Sequence, residues 1–289
     1  ELTRGELVNT NAAWLGARLT ELGFDVIASD VVPDEQGAIL AALSRLAASS
    51  RVLVVTGGLG PTTDDITTEC AARAMGVAVV RHEPSLDAIR RRLAKAGREL
   101  TASNARQADV PEGTDVLPNG AGAAPGFAGF IGTCRAFFTP GVPRELMHLW
   151  DEQIAPRLRP IAVVDTHQIR LRTFGLPESA VGDALADLEA ENPGLTLGYR
   201  ATFPEIEVKV HVRAATGDAA RTAALASADG VRGRRRHAVY GEGDDTFSTA
   251  VARPVRARGW RLAIAESCTG GLVGHLLTAV PASEYFVGG

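Results

Sequence analysis

The run Val52–Val55, four apolar residues that stop abruptly at Thr56-Gly57-Gly58, lies between two segments of helical periodicity, and this arrangement narrows the possible folds most. Upstream is "DEQGAILAALSRLAASS". Downstream, "TTDDITTECAARAMG" places Ile66, Cys70, Ala74 and Met75 on one face. A continuously apolar strand between amphipathic helices predicts a parallel sheet covered on both faces. The alternation extends both ways. Residues 9–23 set Trp14, Leu15, Leu19 and Leu22 on one helical face, and "FDVIASDVV" and "VAVVRH" read as strands. "PSLDAIRRRLAKAG" and a polar stretch near "ELTASNARQADV" read as helices, and "LPNGAGAAPGFAGFI" is too glycine-rich to be regular over most of its length. A strand, "RAFFTPG", then leads to a helix opened by Pro143, with Leu146, Leu149, Trp150 and Ile154 on one side.

A chain of 289 residues exceeds one ordinary core. The expected division is an α/β domain at 1–160, a small α+β domain at 161–240 and the beginning of a further α/β domain at 241–289. In the second, "HQIRLRTFG", "GLTLGYR" and "EIEVKVHVRA" predict an antiparallel sheet with two helices on one face; "GEGDDT" reads as a linker. Beyond it come a helix containing Pro254 and a strand, "WRLAIA". With 45% hydrophobic and 22% charged residues and a formal net charge of -4, composition is that of a globular protein with no global attraction to nucleic acid or anionic membrane. Three dispersed cysteines without a CxxC or a metal-spaced His pair suit a reduced, cytoplasmic setting. No signal peptide or membrane-length apolar run is present, and the opening at Glu1 and closing "YFVGG" suggest that sequence is missing at both ends.

Gly57, Gly58 and Gly60 allow close backbone approach to a ligand, and a following helix would add unpaired N–H groups, so an anion is the natural guest. Asp64 and Asp65 would repel that anion unless a hard divalent cation bridged them to a diphosphate. The simpler alternative is that one aspartate caps the helix and the glycines form a tight turn. The loop matches neither the dinucleotide fingerprint nor the P-loop, and supplies no lysine.

"LAIAESCTGGLVGHLL" repeats the strand, turn and helix order. Ser267, Cys268 and Thr269 are each possible nucleophiles on an exposed turn, where helix N–H groups would stabilise developing negative charge. No base is evident: His275 could share a helix face with Cys268, a spacing that often arises by chance, and a plain structural turn is the preferred reading of the isolated segment.

"ELTRGELVNTNAAWLGARLTELGFDV", "TGGLGPTTDDIT", "NGAGAAPGF" and "TPGVPREL", in this order, resemble the amino-terminal domain of the CinA family of competence/damage-inducible proteins. The resemblance implies a three-layer, molybdopterin-binding-like domain with a parallel-rich sheet and metal-dependent ADP-ribose pyrophosphatase activity. It further implies that Gly57, Gly58, Gly60, Thr62, Asp64 and Asp65 form the phosphate and metal site, joined by Glu1, Asn11, Asn119 and Gly120. The cofactor would be a divalent metal ion of unassigned identity, with a monovalent cation as an optional companion. "AESCTGG" and "VPASEYFVGG" are similar to the opening of the family's carboxy-terminal nicotinamide-nucleotide amidohydrolase domain, which implies Ser267 as nucleophile toward nicotinamide mononucleotide. The tyrosine and lysine implied as its partners belong to a Y-S-N-x-x-K-like segment beyond Gly289, and Tyr285 is not that tyrosine. A homodimer without membrane association is implied.

Gly230-Val231-Arg232-Gly233, followed by Arg234, Arg235 and Arg236, matches the G-x-x-G of KH domains, but it leads into a strand approach and few aromatics are available for stacking. A solvated basic loop is the plainer reading, and the KH-like fold implied by the resemblance is architectural. Two rivals to a hydrolase stay open: a pterin-nucleotide binding protein and a non-catalytic nucleic-acid-associated protein.

Overall fold

A computed structural model describes residues 2–235, 238–281 and 283–287 of the chain. The backbone forms two compact units, Glu1–Ala162 and Val163–Gly289.

In the first unit, Asn9 accepts a hydrogen bond from Ala12 N and so caps α1 (Thr10–Glu21), which Gly23 terminates with φ at 88°. Then follow α2 (Gln36–Ser49), β1 (Val52–Thr56), α3 (Thr67–Met75), β2 (Val79–Arg81), α4 (Glu83–Lys95), α5 (Ala102–Arg106) and β3 (Asp109–Pro111). The unit closes with β4 (Asp115–Leu117), β5 (Gly126–Ile131), β6 (Cys134–Thr139) and α6 (Pro143–Leu149), which continues through a π turn at Trp150–Ile154 into α7 (Ala155–Leu158).

The main sheet has the order β1-β6-β5-β4. β1 and β6 are parallel, whereas β5 pairs antiparallel with both β6 and β4. The expected parallel sheet is therefore realised only at β1–β6 and the sheet is mixed. The reason is the two-residue link between β5 and β6, which permits a hairpin and no crossover. β5 itself lies in the glycine-rich stretch expected to be irregular. There a Cβ on Gly126 would stand 2.7 Å from Phe138 O, so glycine serves close strand approach.

Two expected strands behave differently. Residues 24–32 form no strand, and Val26, Ile27, Val31 and Val32 are exposed, because no described strand pairs with the outer edge of β1. β1 is accordingly half-buried along its length. "VAVVRH" supplies β2, which pairs only with β3, antiparallel, in a separate two-stranded sheet.

Side chains alternate across the main sheet. Cys134, Ala136 and Phe138 pack with Ile39, Leu43, Cys70 and Ala71 of α2 and α3, while Phe137 and Leu117 pack on the other face with Leu15, Leu146, Leu149 and Ile154. This gives the three layers expected. Phe127 and Phe138 stack at 4.7 Å between centroids, and burying each such ring stabilises by about 1.5–3 kcal/mol.

The second unit contains β7 (Asp165–Phe174), α8 (Glu178–Glu191), β8 (Leu195–Thr202), β9 (Glu205–Ala214), α9 (Gly217–Arg234), β10 (Val239–Glu242), α10 (Phe247–Ala257) and α11 (Leu272–Thr278). Its sheet, β10-β7-β9-β8, is antiparallel throughout, with Val181, Leu185, Ala224 and Ala228 of α8 and α9 packed on one face against Leu171, Val208 and Val210. "GEGDDT" is not a linker. Gly243 N donates to Arg170 O at 2.8 Å, Arg172 Nε donates to Gly243 O at 3.0 Å, and Arg170 pairs with Asp244, fastening this turn to β7. "WRLAIA" forms no strand, only a single parallel bridge from Leu262 to Phe286.

Candidate functional site

The glycine loop leaves β1 at Gly57 and Gly58, whose φ values of 97° and 70° lie in the left-handed region that favours glycine. A Cβ on Gly58 would overlap Thr67 Oγ1, and one on Gly60 would overlap the Asp65 carboxylate. The space those glycines free is thus filled by the chain's own side chains. At Gly57 it is open, with nothing within 4 Å of a Cβ position.

Asp64 and Asp65 do not sit in the first helical turn, as expected, because α3 begins only at Thr67. They belong to the preceding turn. Asp65 Oδ2 accepts hydrogen bonds from Thr62 N at 2.9 Å and Thr62 Oγ1 at 2.5 Å, which fixes that carboxylate and engages both Thr62 donors. Asp64 is exposed. Arg106, brought from α5, donates to Asp65 O at 3.5 Å and to Glu69 Oε1 at 3.4 Å. It provides the cation that the loop's own sequence lacks, and its 41-residue separation from Asp65 gives no local signal.

Asn11 and the glycine loop meet through Gly141. Asn11 Nδ2 donates to Gly141 O at 2.8 Å, and a Cβ on Gly141 would stand 3.3 Å from Gly57 Cα. Asn119 and Gly120 belong to a second loop. There Asn119 Oδ1 accepts from Ala121 N and Gly122 N at 3.1 and 3.0 Å, while its Nδ2 donates to Ala124 O and Glu145 Oε2 at 2.8 and 2.7 Å. Its amide is fully used in holding that loop to α6. Gly120 N donates to His148 Nε2 at 3.1 Å, a second attachment to α6. Glu145, which lies within "TPGVPREL", and His148, one helical turn on, shape this loop although the sequence reading singled out neither as a site residue. Glu1 lies outside the described residues.

Among the described residues no three His, Cys, Asp or Glu side chains gather to hold a metal. A carboxylate pair with one member outward nevertheless fits a hard cation that completes its shell with phosphate oxygens and water.

Residues 1–160 match the family described as "Probable molybdopterin binding domain", 168–241 the "Damage-inducible protein CinA KH domain" and 244–289 the "CinA C-terminal domain". A CinA-like protein of Geobacter sulfurreducens is 41% identical over 292 residues, covering 100% of this chain and 71% of that protein.

The chain belongs to the CinA family.

A CinA-like protein of an Anaeromyxobacter species is also 41% identical, over 98% of this chain and 69% of its own length. A crystal structure of a CinA protein of unknown function from Thermoplasma acidophilum superposes with a TM-score of 0.50 and 35% identity, covering 54% of this chain and 91% of that one. No described helix of this CinA-family chain is long and apolar enough to cross a membrane.

In the CinA carboxy-terminal segment, Ser267 is exposed in the turn before α11, with no hydrogen bond to a described residue. Cys268 is also exposed. It precedes α11, so the shared helical face that its spacing from His275 allowed is not formed. The helix N–H groups expected to await developing charge are taken. Glu266 accepts from Val273 N at 3.0 Å, Gly274 N at 2.8 Å and Thr269 Oγ1 at 2.5 Å. Tyr285 is buried and donates to Leu277 O at 3.0 Å, so it offers Ser267 no base. The G-x-x-G lies inside α9, where a Cβ on Gly230 would meet Leu188 Cδ1 at 3.0 Å, so it serves helix packing and forms no clamp. The basic run is not a solvated loop either: Arg232 pairs with Asp229 and Glu242, and Arg234 pairs with Asp187. Arg236 lies outside the described residues.

Proposed function

We propose that the amino-terminal domain is a metal-dependent hydrolase of nucleoside-diphosphate sugars, acting on ADP-ribose at the glycine loop. The observation that carries this reading is the clamping of Asp65 by both donors of Thr62, with Asp64 exposed next to it in the chain and open space at Gly57. A divalent ion bound there supplies Lewis-acid polarisation of the diphosphate and a more acidic water. Asp64 and Asp65 hold it, Thr62 orients Asp65, and Arg106 offsets the charge that accumulates at the loop. Asp64→Asn and Asp65→Asn should each lower AMP release from ADP-ribose with magnesium by more than about tenfold, and chelator should abolish it. Unchanged release in both variants would overturn the assignment.

The match to a molybdopterin-binding family supports a second reading, a pterin-nucleotide binder without hydrolysis. Tight nucleotide binding with no AMP release at any metal concentration would favour it.

For the carboxy-terminal segment we infer nicotinamide mononucleotide deamidation with Ser267 as nucleophile. An uncoupled serine is not activated, so activity is expected only in a chain that includes the tyrosine and lysine of the Y-S-N-x-x-K-like segment. Ser267→Ala should then abolish ammonia release. Retained release would transfer the role to Cys268.

A further inference from the structure

In the second unit the sheet β10-β7-β9-β8 carries α8 and α9 on one face. Ile169 and Leu171 of β7, Leu195 and Leu197 of β8, and Val208 and Val210 of β9 pack against those helices, so the residues between them face the other way. Most of those residues are charged. In cross-strand register Arg172, Glu207 and Arg200 form one row across β7, β9 and β8, and Arg170 and Lys209 lie in the next.

Glu207 stands at the centre and is only 4% exposed. Arg172 Nη2 is 3.3 Å and Arg170 Nη1 3.9 Å from its Oε2, and Lys209 Nζ is 3.9 Å from its Oε1. Arg200, opposite Glu207 in register, is exposed. One buried carboxylate thus lies among four cations, and positive charge stays in excess even when Asp244, which pairs with Arg170, is counted. A chain with a formal net charge of -4 therefore concentrates cations on this one face.

The unit's few aromatic rings gather at one end of the same sheet. Phe174, two residues beyond Arg172 on β7, meets Phe247 edge-on at 5.1 Å, and Phe247 stacks on Tyr240 at 4.3 Å. Phe203, in the β8–β9 turn at that end, is 97% exposed. Gln168, Thr196 and Thr202 are exposed on the same face and offer neutral hydrogen-bonding groups of the kind that meet a ribose 2′-hydroxyl. Cations that track phosphates, with exposed rings on which bases stack, suit a flexible polyanion that carries planar groups. An acidic peptide would use the cations and leave Phe203 without a partner, and a duplex would keep its bases out of reach of that ring.

We propose that this open sheet face binds single-stranded RNA, its phosphates along Arg170, Arg172, Arg200 and Lys209 and a base against Phe203. The face is opposite the one covered by α9 and its G-x-x-G, and binding there does not depend on hydrolysis at the glycine loop.

Fluorescence anisotropy with a labelled oligouridylate of about twelve nucleotides tests it, alongside oligothymidylate, an RNA duplex and polyglutamate. The oligouridylate should bind most tightly, and its affinity should fall as salt rises. Arg200→Ala should weaken it about fivefold or more and reduce the salt dependence by roughly one phosphate contact, a change that a purely structural role would not produce. Phe203→Ser, in an exposed turn, should weaken it about fivefold or more and leave the salt dependence unchanged. No binding, or binding of oligothymidylate, duplex or polyglutamate as tight as that of oligouridylate, would overturn the proposal. So would affinity that survives both variants and is lost in Gly233→Asp, where a side chain meets no neighbour, because the strand would then lie at the G-x-x-G.

Discussion

Gly57 and Gly58 are adjacent and both left-handed, yet they constrain the site differently. At Gly57 alanine meets no neighbour and carries only the backbone penalty, about 1–2 kcal/mol. At Gly58 the same change also collides with Thr67 Oγ1 where α3 begins, so Gly58→Ala should cost clearly more than Gly57→Ala in urea denaturation. Equal costs would show that the loop yields without effort. The glycines and aspartates were legible because their residue types are unusual in that place. Their partners were not, since nothing local in the sequence couples Arg106 to Asp65 or Glu145 to Asn119. Asn119, nominated by sequence as a ligand contact, has its amide bonded to its own loop and to Glu145 of α6.

Elements with a strong period were readable: α1, α2, α4, α6, α8 and α9 stand where their apolar faces placed them. β5 was hidden because its glycines, which look like loop residues, are demanded by a neighbouring strand. Segments 24–32 and 260–265 have strand composition but no strand beside them, and a strand exists only as a pair. At α11 the decisive feature is Glu266, whose carboxyl is lowered first by the Thr269 hydroxyl and then by the Gly274 amide. A carboxyl depressed on folding contributes stability above its unfolded pKa and loses it as pH falls through the folded value. The Val273 and Gly274 amides should therefore exchange faster, relative to the intrinsic rate, once pH drops below the ordinary carboxylate range. Glu266→Gln should flatten that dependence; an unaltered profile would remove Glu266 as the cap.

Across the whole molecule, the sequence-derived boundary near residue 160 lies close to the division between Ala162 and Val163, because a change from α/β alternation to alternating strands marks it. The turn at 241–246 misled, since its glycines and aspartates suggest a solvated linker while arginines of β7, three strands earlier in sequence than β10, fasten it. The three cysteines sample the chain unevenly: Cys70 and Cys134 are buried and burial pushes their thiols up, while Cys268 is exposed. An alkylating reagent should modify one thiol in the native protein and all three after denaturation. Two fast native thiols would contradict the packing around α3 and β6.

The outer edge of β1 has a consequence for the protein as a material. Its backbone amides and carbonyls repeat at the spacing of a further strand, and the 24–32 segment exposes four branched aliphatic side chains. Like edges of two copies are mutually adhesive, and a net charge of only -4 offers little repulsion to keep them apart. On concentration, self-association through such an edge is expected to precede loss of either core, which light scattering alongside circular dichroism would check.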